Sequence, residues 1–146
     1  MAGLKKNFHI KKKDFIRAGE ASIQTKVLLK SLNLDSALIR RVAICGYEGE
    51  MNVVMHGGDG LLSLLVETDR LTLNISDNGP GIENIELAMK KGFSTALDEY
   101  REMGFGAGMG LPNMKKNADQ IEVESERGKG TRVRMIFFVT GEEDRH

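Results

Sequence analysis

The chain has 146 residues, 40% of them hydrophobic, and its 21 basic and 21 acidic side chains cancel. Such a length and composition suit one domain with a proper core and exclude a disordered chain. The charge balance leaves no broad electrostatic footprint for nucleic acid or an anionic membrane, and a single cysteine, Cys45, excludes an internal disulfide and a thiolate metal site.

The N-terminal stretch "MAGLKKNFHIKKKDF" lacks the apolar centre of a signal peptide, and no apolar run approaches membrane-spanning length, which predicts a cytoplasmic protein. "KNFHI" alternates weakly and reads as a first strand at a sheet edge, where its lysines discourage further pairing. Lys11 to Lys13 read as a solvated turn. Asp14 is the expected N-cap of a helix running to about Leu32, and Ser36 that of a second helix reaching about His56. "GGDG" ends the second helix with residues that tolerate left-handed geometry. "LLSLLVE" and "RLTLNIS", separated by "TD", predict an antiparallel hairpin. A short helix is expected from Glu83 to Lys91, and residues 92–110 read as a long, lid-like loop. Pro112 suits the first turn of a helix through about Ala118. "QIEVESE" and "RVRMIFFVT" are two last strands joined by "RGKG", and residues 141–146 are a polar tail expected to fray. Without repeats or a linker, residues 1–146 read as a single domain. The predicted fold class is α/β (α+β): a two-layer sandwich with a mixed, mostly antiparallel sheet and helices on one face.

Three stretches carry chemistry. "SDNGPGI", closing the second hairpin strand, is either an ordinary turn or a strand end built to receive a ligand. "GFGAGMG" places glycines at 104, 106, 108 and 110 just before a helix start. Such a run is a phosphate cradle or a flexible linker; bare backbone N–H groups and a helix dipole favour anions. Its spacing matches neither a P-loop nor a dinucleotide fingerprint. On the second helix, Glu48 and Asn52 lie four apart, about 40° around the axis, whereas Glu50 points about 200° away from Glu48. The pair is an ordinary polar surface pair or a working one. In the latter case the Asn52 oxygen suits Mg²⁺ beside nucleotide phosphates, and the Glu48 carboxylate suits proton removal from a hydroxyl.

In this order and spacing the three stretches resemble the motifs of the Bergerat-fold ATPases, the superfamily of gyrase, Hsp90, histidine kinases and MutL. The resemblance spans about Arg41 to Val139. "EGEMNVVMHG" is similar to the N box, "DNGPGI" to the first glycine box, "GFGAGMGLPNMKK" to the second, and "SERGKGT" to the turn before the last strand. Within the superfamily the chain looks most like the small anti-sigma serine kinases of the SpoIIAB and RsbW type. The resemblance implies that Asp77 accepts the adenine amino group, that Gly79 and Gly81 let the base approach the backbone, and that Thr131 supports the adenine pocket. It further implies Mg²⁺ on Asn52, Glu48 as general base, and a lid over the phosphates of ATP formed by Gly104, Gly106, Gly108 and Gly110 and followed by Leu111. Lys115 stands where relatives often carry a basic residue; it contacts phosphate or is simply a solvated helix lysine. Two departures stand out: Gly46 and Gly49 flank Glu48 and soften the helix, and "GFST" resembles the lids of histidine kinases.

The implied activity is Mg-ATP-dependent phosphorylation of serine or threonine on a partner regulator by an anti-sigma-factor-like homodimer. The partners implied are a sigma factor or a small antagonist protein, with no nucleic acid and no membrane. Two alternatives stay open: the ATP-binding half of a histidine kinase acting in trans, and a nucleotide-gated binding module with little turnover. None of His9, His56 and His146 lies where a phosphoacceptor helix would place it.

Overall fold

The structure, a computed structural model, describes residues 3–56, 58–79, 110–126 and 128–139. The expected helix at 83–91, nearly all of the 92–110 segment and the polar tail lie outside the described residues.

Five strands form one sheet: β1 (Leu4–Ile10), β2 (Gly60–Val66), β3 (Arg70–Asp77), β4 (Gln120–Glu126) and β5 (Gly130–Phe138). Their order is β1-β2-β3-β5-β4, and each pairing is antiparallel. The weakly alternating first strand is an edge strand, as its lysines predict. Helices α1 (Glu20–Ser31), α2 (Ser36–His56) and α3 (Gly110–Asn117) cover one face, which gives the two-layer sandwich expected from the sequence. Among the described residues, no helix is long and apolar enough to cross a membrane.

The strand period of two builds the core. Leu62, Leu64 and Val66 of β2 are buried beside Leu71, Leu73 and Ile75 of β3 and Val133, Met135 and Phe137 of β5. They stand directly opposite one another in the register, with Leu64 opposite Leu73 and Leu73 opposite Met135. Val42, Cys45 and Val53 of α2, Leu29 of α1 and Met114 of α3 close this layer from the helix side. The same parity carries Asp77, the residue after next from Ile75, onto the helix-facing row. Its partners there are Gly60 and Thr131.

The first predicted helix start is displaced, whereas the second helix has its expected bounds with the cap one residue earlier. The first helix begins at Glu20, not near Asp14. Residues 11–19 form turns, in which the Asp14 carboxylate accepts the Arg17 N–H at 3.2 Å. Gly19 occupies the N-cap with φ +96°, and no side chain of its own neighbourhood caps the helix. The cap comes from α2. The Glu50 carboxylate, 3% exposed, accepts the N–H groups of Gly19, Ala21 and Ser22 and the Ser22 hydroxyl at 2.6–3.2 Å. At the head of α2, Asp35 and not Ser36 is the cap: its Oδ2 accepts the Leu38 N–H at 3.2 Å.

Helix α3 starts two residues before Pro112, which sits in its first turn. It runs antiparallel to α2. The Arg41 guanidinium donates through Nε to the Asn117 carbonyl at 2.9 Å and pairs with Asp119 at 3.1 Å. The buried Cys45 thiol donates to the Met114 carbonyl at 3.7 Å. At the other end of the pair Gly110 lies against the Asn52 side chain.

Candidate functional site

The site residues come from three elements that the fold brings side by side: the C-terminal half of α2, the start of α3, and the Asp77 end of the sheet. Helix α2 reaches the sheet through Gly49. A Cβ there would lie 2.2 Å from the Ile75 Cδ1, so a larger residue would have to displace the end of the Ile75 side chain for the helix to sit this low over β3. One turn on, Val53 packs at Gly60, where a Cβ would meet a Val53 methyl at 2.7 Å and the Ser76 carbonyl at 2.6 Å. Gly60 is opposite Asp77 in the register. The C-terminal half of α2 is thereby fixed over the end of β3.

Asp77 is half-buried, and its Oδ1 accepts the Gly79 N–H at 2.8 Å, which folds the backbone into a tight Asx-type turn. Thr131 stands opposite Asp77 on β5. Its hydroxyl is 2.9 Å from that of Ser125, whose Oγ also donates to the Gly130 carbonyl at 3.1 Å. Gly130 has φ +101°, and a Cβ on it would come within 2.0 Å of the Asp77 carbonyl oxygen. Only glycine permits β5 to start so close to Asp77. Across the turn, the Asn78 N–H donates to the Asp59 carbonyl at 3.2 Å.

Glu48 and Asn52 are both half-buried on α2. Glu50, two residues from each, is committed to the head of α1, so Glu48 is the carboxylate on the α3 side. Burial raises the pKa of Glu48 above the ordinary carboxylate value, and a hydrogen bond from the Asn113 side chain pulls it partly back. Cys45, one turn earlier, has its thiol pushed up to about 12, mainly by burial, with Arg41 lowering it and Glu48 raising it. A Cβ on Gly110 would lie 3.0 Å from the Asn52 Nδ2 and 3.1 Å from its Oδ1, so the last glycine of the second box borders the Asn52 amide. Leu111 is buried in the core beneath it. Lys115 is exposed in the last turn of α3. Gly81, Gly104, Gly106 and Gly108 lie outside the described residues.

The structure thus brings Glu48 and Asn52 to α3 and Gly110, and brings Asp77 to Thr131 and Gly79. Three residues with a place in this geometry escaped the sequence reading: Asn113, Glu50 and Gly130. Asn113 falls within the quoted "GLPNM", yet its partner is set by helix packing. Glu50 had only its direction away from Glu48, not its destination.

The family described as "Histidine kinase-, DNA gyrase B-, and HSP90-like ATPase" matches residues 44–141. Relatives include the anti-sigma F factor of Thermoanaerobacter sp. (strain X514), 33% identical over 127 residues that cover 82% of this chain and 85% of the relative. The anti-sigma F factor of Clostridium acetobutylicum is 37% identical over 100 residues, covering 68% of this chain and 62% of the relative. Among solved structures, the RsbU and RsbW domains of Rv1364c from Mycobacterium tuberculosis match 90% of this chain and 31% of that one, with a TM-score of 0.58 and 15% identity. The mycobacterial sensor histidine kinase MprB matches 92% and 97%, with a TM-score of 0.52 and 14% identity. At those identities the two structures speak for the fold alone. By the family match and by its likeness to the anti-sigma F factors, the chain belongs to the histidine kinase-, DNA gyrase B- and HSP90-like ATPase family.

Proposed function

We propose that the chain is an ATP-binding anti-sigma regulator that uses Mg-ATP to phosphorylate a serine or threonine of a partner regulatory protein. The observation that carries this reading is the meeting of α2 and α3: Glu48 half-buried with its pKa raised, and Asn52 bordered by the last glycine of the second box. In this reading the Asp77 carboxylate accepts from the adenine amino group, an atom that guanine replaces with an acceptor. Gly79 and Gly81 admit the flat base, and Thr131 borders it. Gly104, Gly106, Gly108 and Gly110 close over the triphosphate, and Leu111 anchors the end of that lid in the core.

The residues present fit Mg²⁺. Asn52 offers a neutral oxygen of the hard kind the ion prefers, and phosphates supply further ligands. Among the described residues no three His, Cys, Asp or Glu side chains are grouped as a metal site, so Asn52 serves alongside phosphate oxygens and not within an all-protein cage. When bound, the ion neutralises charge on the phosphates. Glu48 takes the proton of the attacking hydroxyl; the hydroxyl oxygen bonds to the γ-phosphorus, the bond to the bridging oxygen breaks, and ADP leaves. Burial favours this role, because a desolvated carboxylate holds a proton more tightly. The partner is a sigma factor or its antagonist, and the working form is a homodimer.

Calorimetric titration with Mg-ATP and Mg-GTP tests the base contact: ATP binds more tightly, and equal affinities would remove Asp77 from the reading. Radiolabel transfer to a captured partner tests the chemistry. Glu48→Gln keeps ATP affinity and loses transfer on the order of 10²–10⁴-fold. Full transfer by that variant would take Glu48 out of the mechanism. Asn52→Ala weakens only the Mg²⁺-dependent part of the affinity.

A further inference from the structure

The register between α2 and α3 is fixed at three points: Gly110 against Asn52, the Cys45 thiol on the Met114 carbonyl, and the Arg41 guanidinium on the Asn117 carbonyl. Glu48 lies between Asn52 and Cys45 on α2, about one helical turn from each. On α3 the residue between Gly110 and Met114 that has a polar side chain is Asn113. Both Glu48 and Asn113 are half-buried, the register sets them at the same level of the seam, and the Asn113 side chain favours the ionised form of the Glu48 carboxylate.

We propose that Asn113 is a positioning residue for Glu48: its side-chain amide holds the carboxylate in place, so the base is aligned only while α3 is docked on α2. This inference rests on the reading of Glu48 as the general base. The choice of an amide has a physical reason. A lysine here would pair with Glu48 and make it a weak base. A leucine would leave a half-buried carboxylate with a lost donor. An amide N–H is directional and uncharged, so it orients the carboxylate while leaving most of the basicity that burial confers. Asn113 also stands three residues after Gly110, which borders the Asn52 amide.

Of the other ionisable groups on the packed elements, Glu50 on α2 is committed to the head of α1. Arg41 on α2 is engaged with Asn117 and Asp119. Cys45 on α2 stays protonated. Lys115 and Lys116 on α3 are exposed. Asp77, at the end of β3, accepts from Gly79.

The test compares Asn113→Leu, Asn113→Asp and Asn113→Gln in the full chain, with two readouts. The first is the ¹³C titration of the Glu48 side-chain carboxyl, assigned by its loss in Glu48→Gln; it requires no turnover. The second is the pH dependence of phosphoryl transfer. Leucine removes the donor, so the Glu48 midpoint and the acid limb of transfer both move to higher pH; aspartate adds a like charge and moves them further. Glutamine retains a donor and stays near wild type. Transfer by the leucine variant falls several-fold and recovers only in part at high pH, the remainder reporting the lost alignment, while the affinity for Mg-ATP is unchanged. If the leucine variant fails to fold, the aspartate–glutamine pair decides, because equal midpoints for these two overturn the inference. Unchanged midpoints throughout, with transfer lost in Glu48→Gln, overturn the positioning role alone. Full transfer by Glu48→Gln overturns the base reading and the positioning role with it.

Discussion

The two glycines beside Glu48 have different reasons to be there. A Cβ on Gly46 would find the Ser22 Oγ at 3.7 Å and the Leu62 Cδ1 at 3.8 Å, ordinary contact distances. Gly46→Ala therefore adds helix propensity at no steric cost and stabilises the chain by about 0.5–1 kcal/mol. Gly49→Ala gains the same propensity but drives its methyl into Ile75. Overpacking costs about 1–3 kcal/mol, so the net effect is destabilising. Urea melts of the two variants should move in opposite directions; equal stabilisation by both would mean that α2 does not ride on β3 at Gly49. In the sequence the pair reads only as a soft stretch of helix, because spacing along a helix says nothing of what lies under each residue.

At the scale of elements, the head of α1 depends on a residue about thirty positions further along the chain. Glu50 satisfies three backbone donors and one hydroxyl that would otherwise be buried without partners. Its removal should cost far more than that of the local acid that looked like the cap. Glu50→Ala is expected to lower stability by about 3 kcal/mol, in the range of lost hydrogen bonds to a buried charge. Asp14→Ala, at a surface turn, should cost less than about 1 kcal/mol. Comparable losses in denaturant melts would contradict the buried clasp. This contrast marks the boundary of what sequence could tell. The hairpins β2–β3 and β4–β5 were legible because alternation and turn residues are local signals. The start of α1 was not, since its cap arrives from another helix. The same holds for Asn113, whose partner is fixed by the way two helices pass.

For the molecule as a whole, the strand order places β3 at the centre with Asp77 at its end, flanked by the starts of β2 and β5. The motifs and their order could be read directly from the chain; the face on which Asp77 emerges came with the register, which sets Leu71, Leu73 and Ile75 on the helix side. What could not be read was how closely the ends approach. A Cβ on Gly130 would come 2.0 Å from the Asp77 carbonyl oxygen and one on Gly60 2.6 Å from that of Ser76, contacts between strand neighbours distant in sequence. Both glycines let neighbouring chain close in around the Asp77 end, a closeness that the turn composition alone did not disclose.

The sole thiol of the chain lies under the seam between α2 and α3, at zero exposure and with its proton held to about 12. It is a built-in clock for that seam. An aromatic disulfide reagent at pH 8 should find nothing to attack on mixing, and should then react slowly, at a pace set by the fraction of time the two helices are apart. Immediate release of the chromophore would mean that the seam stands open in solution. A pace slowed by Mg-ATP would show that the nucleotide fastens it.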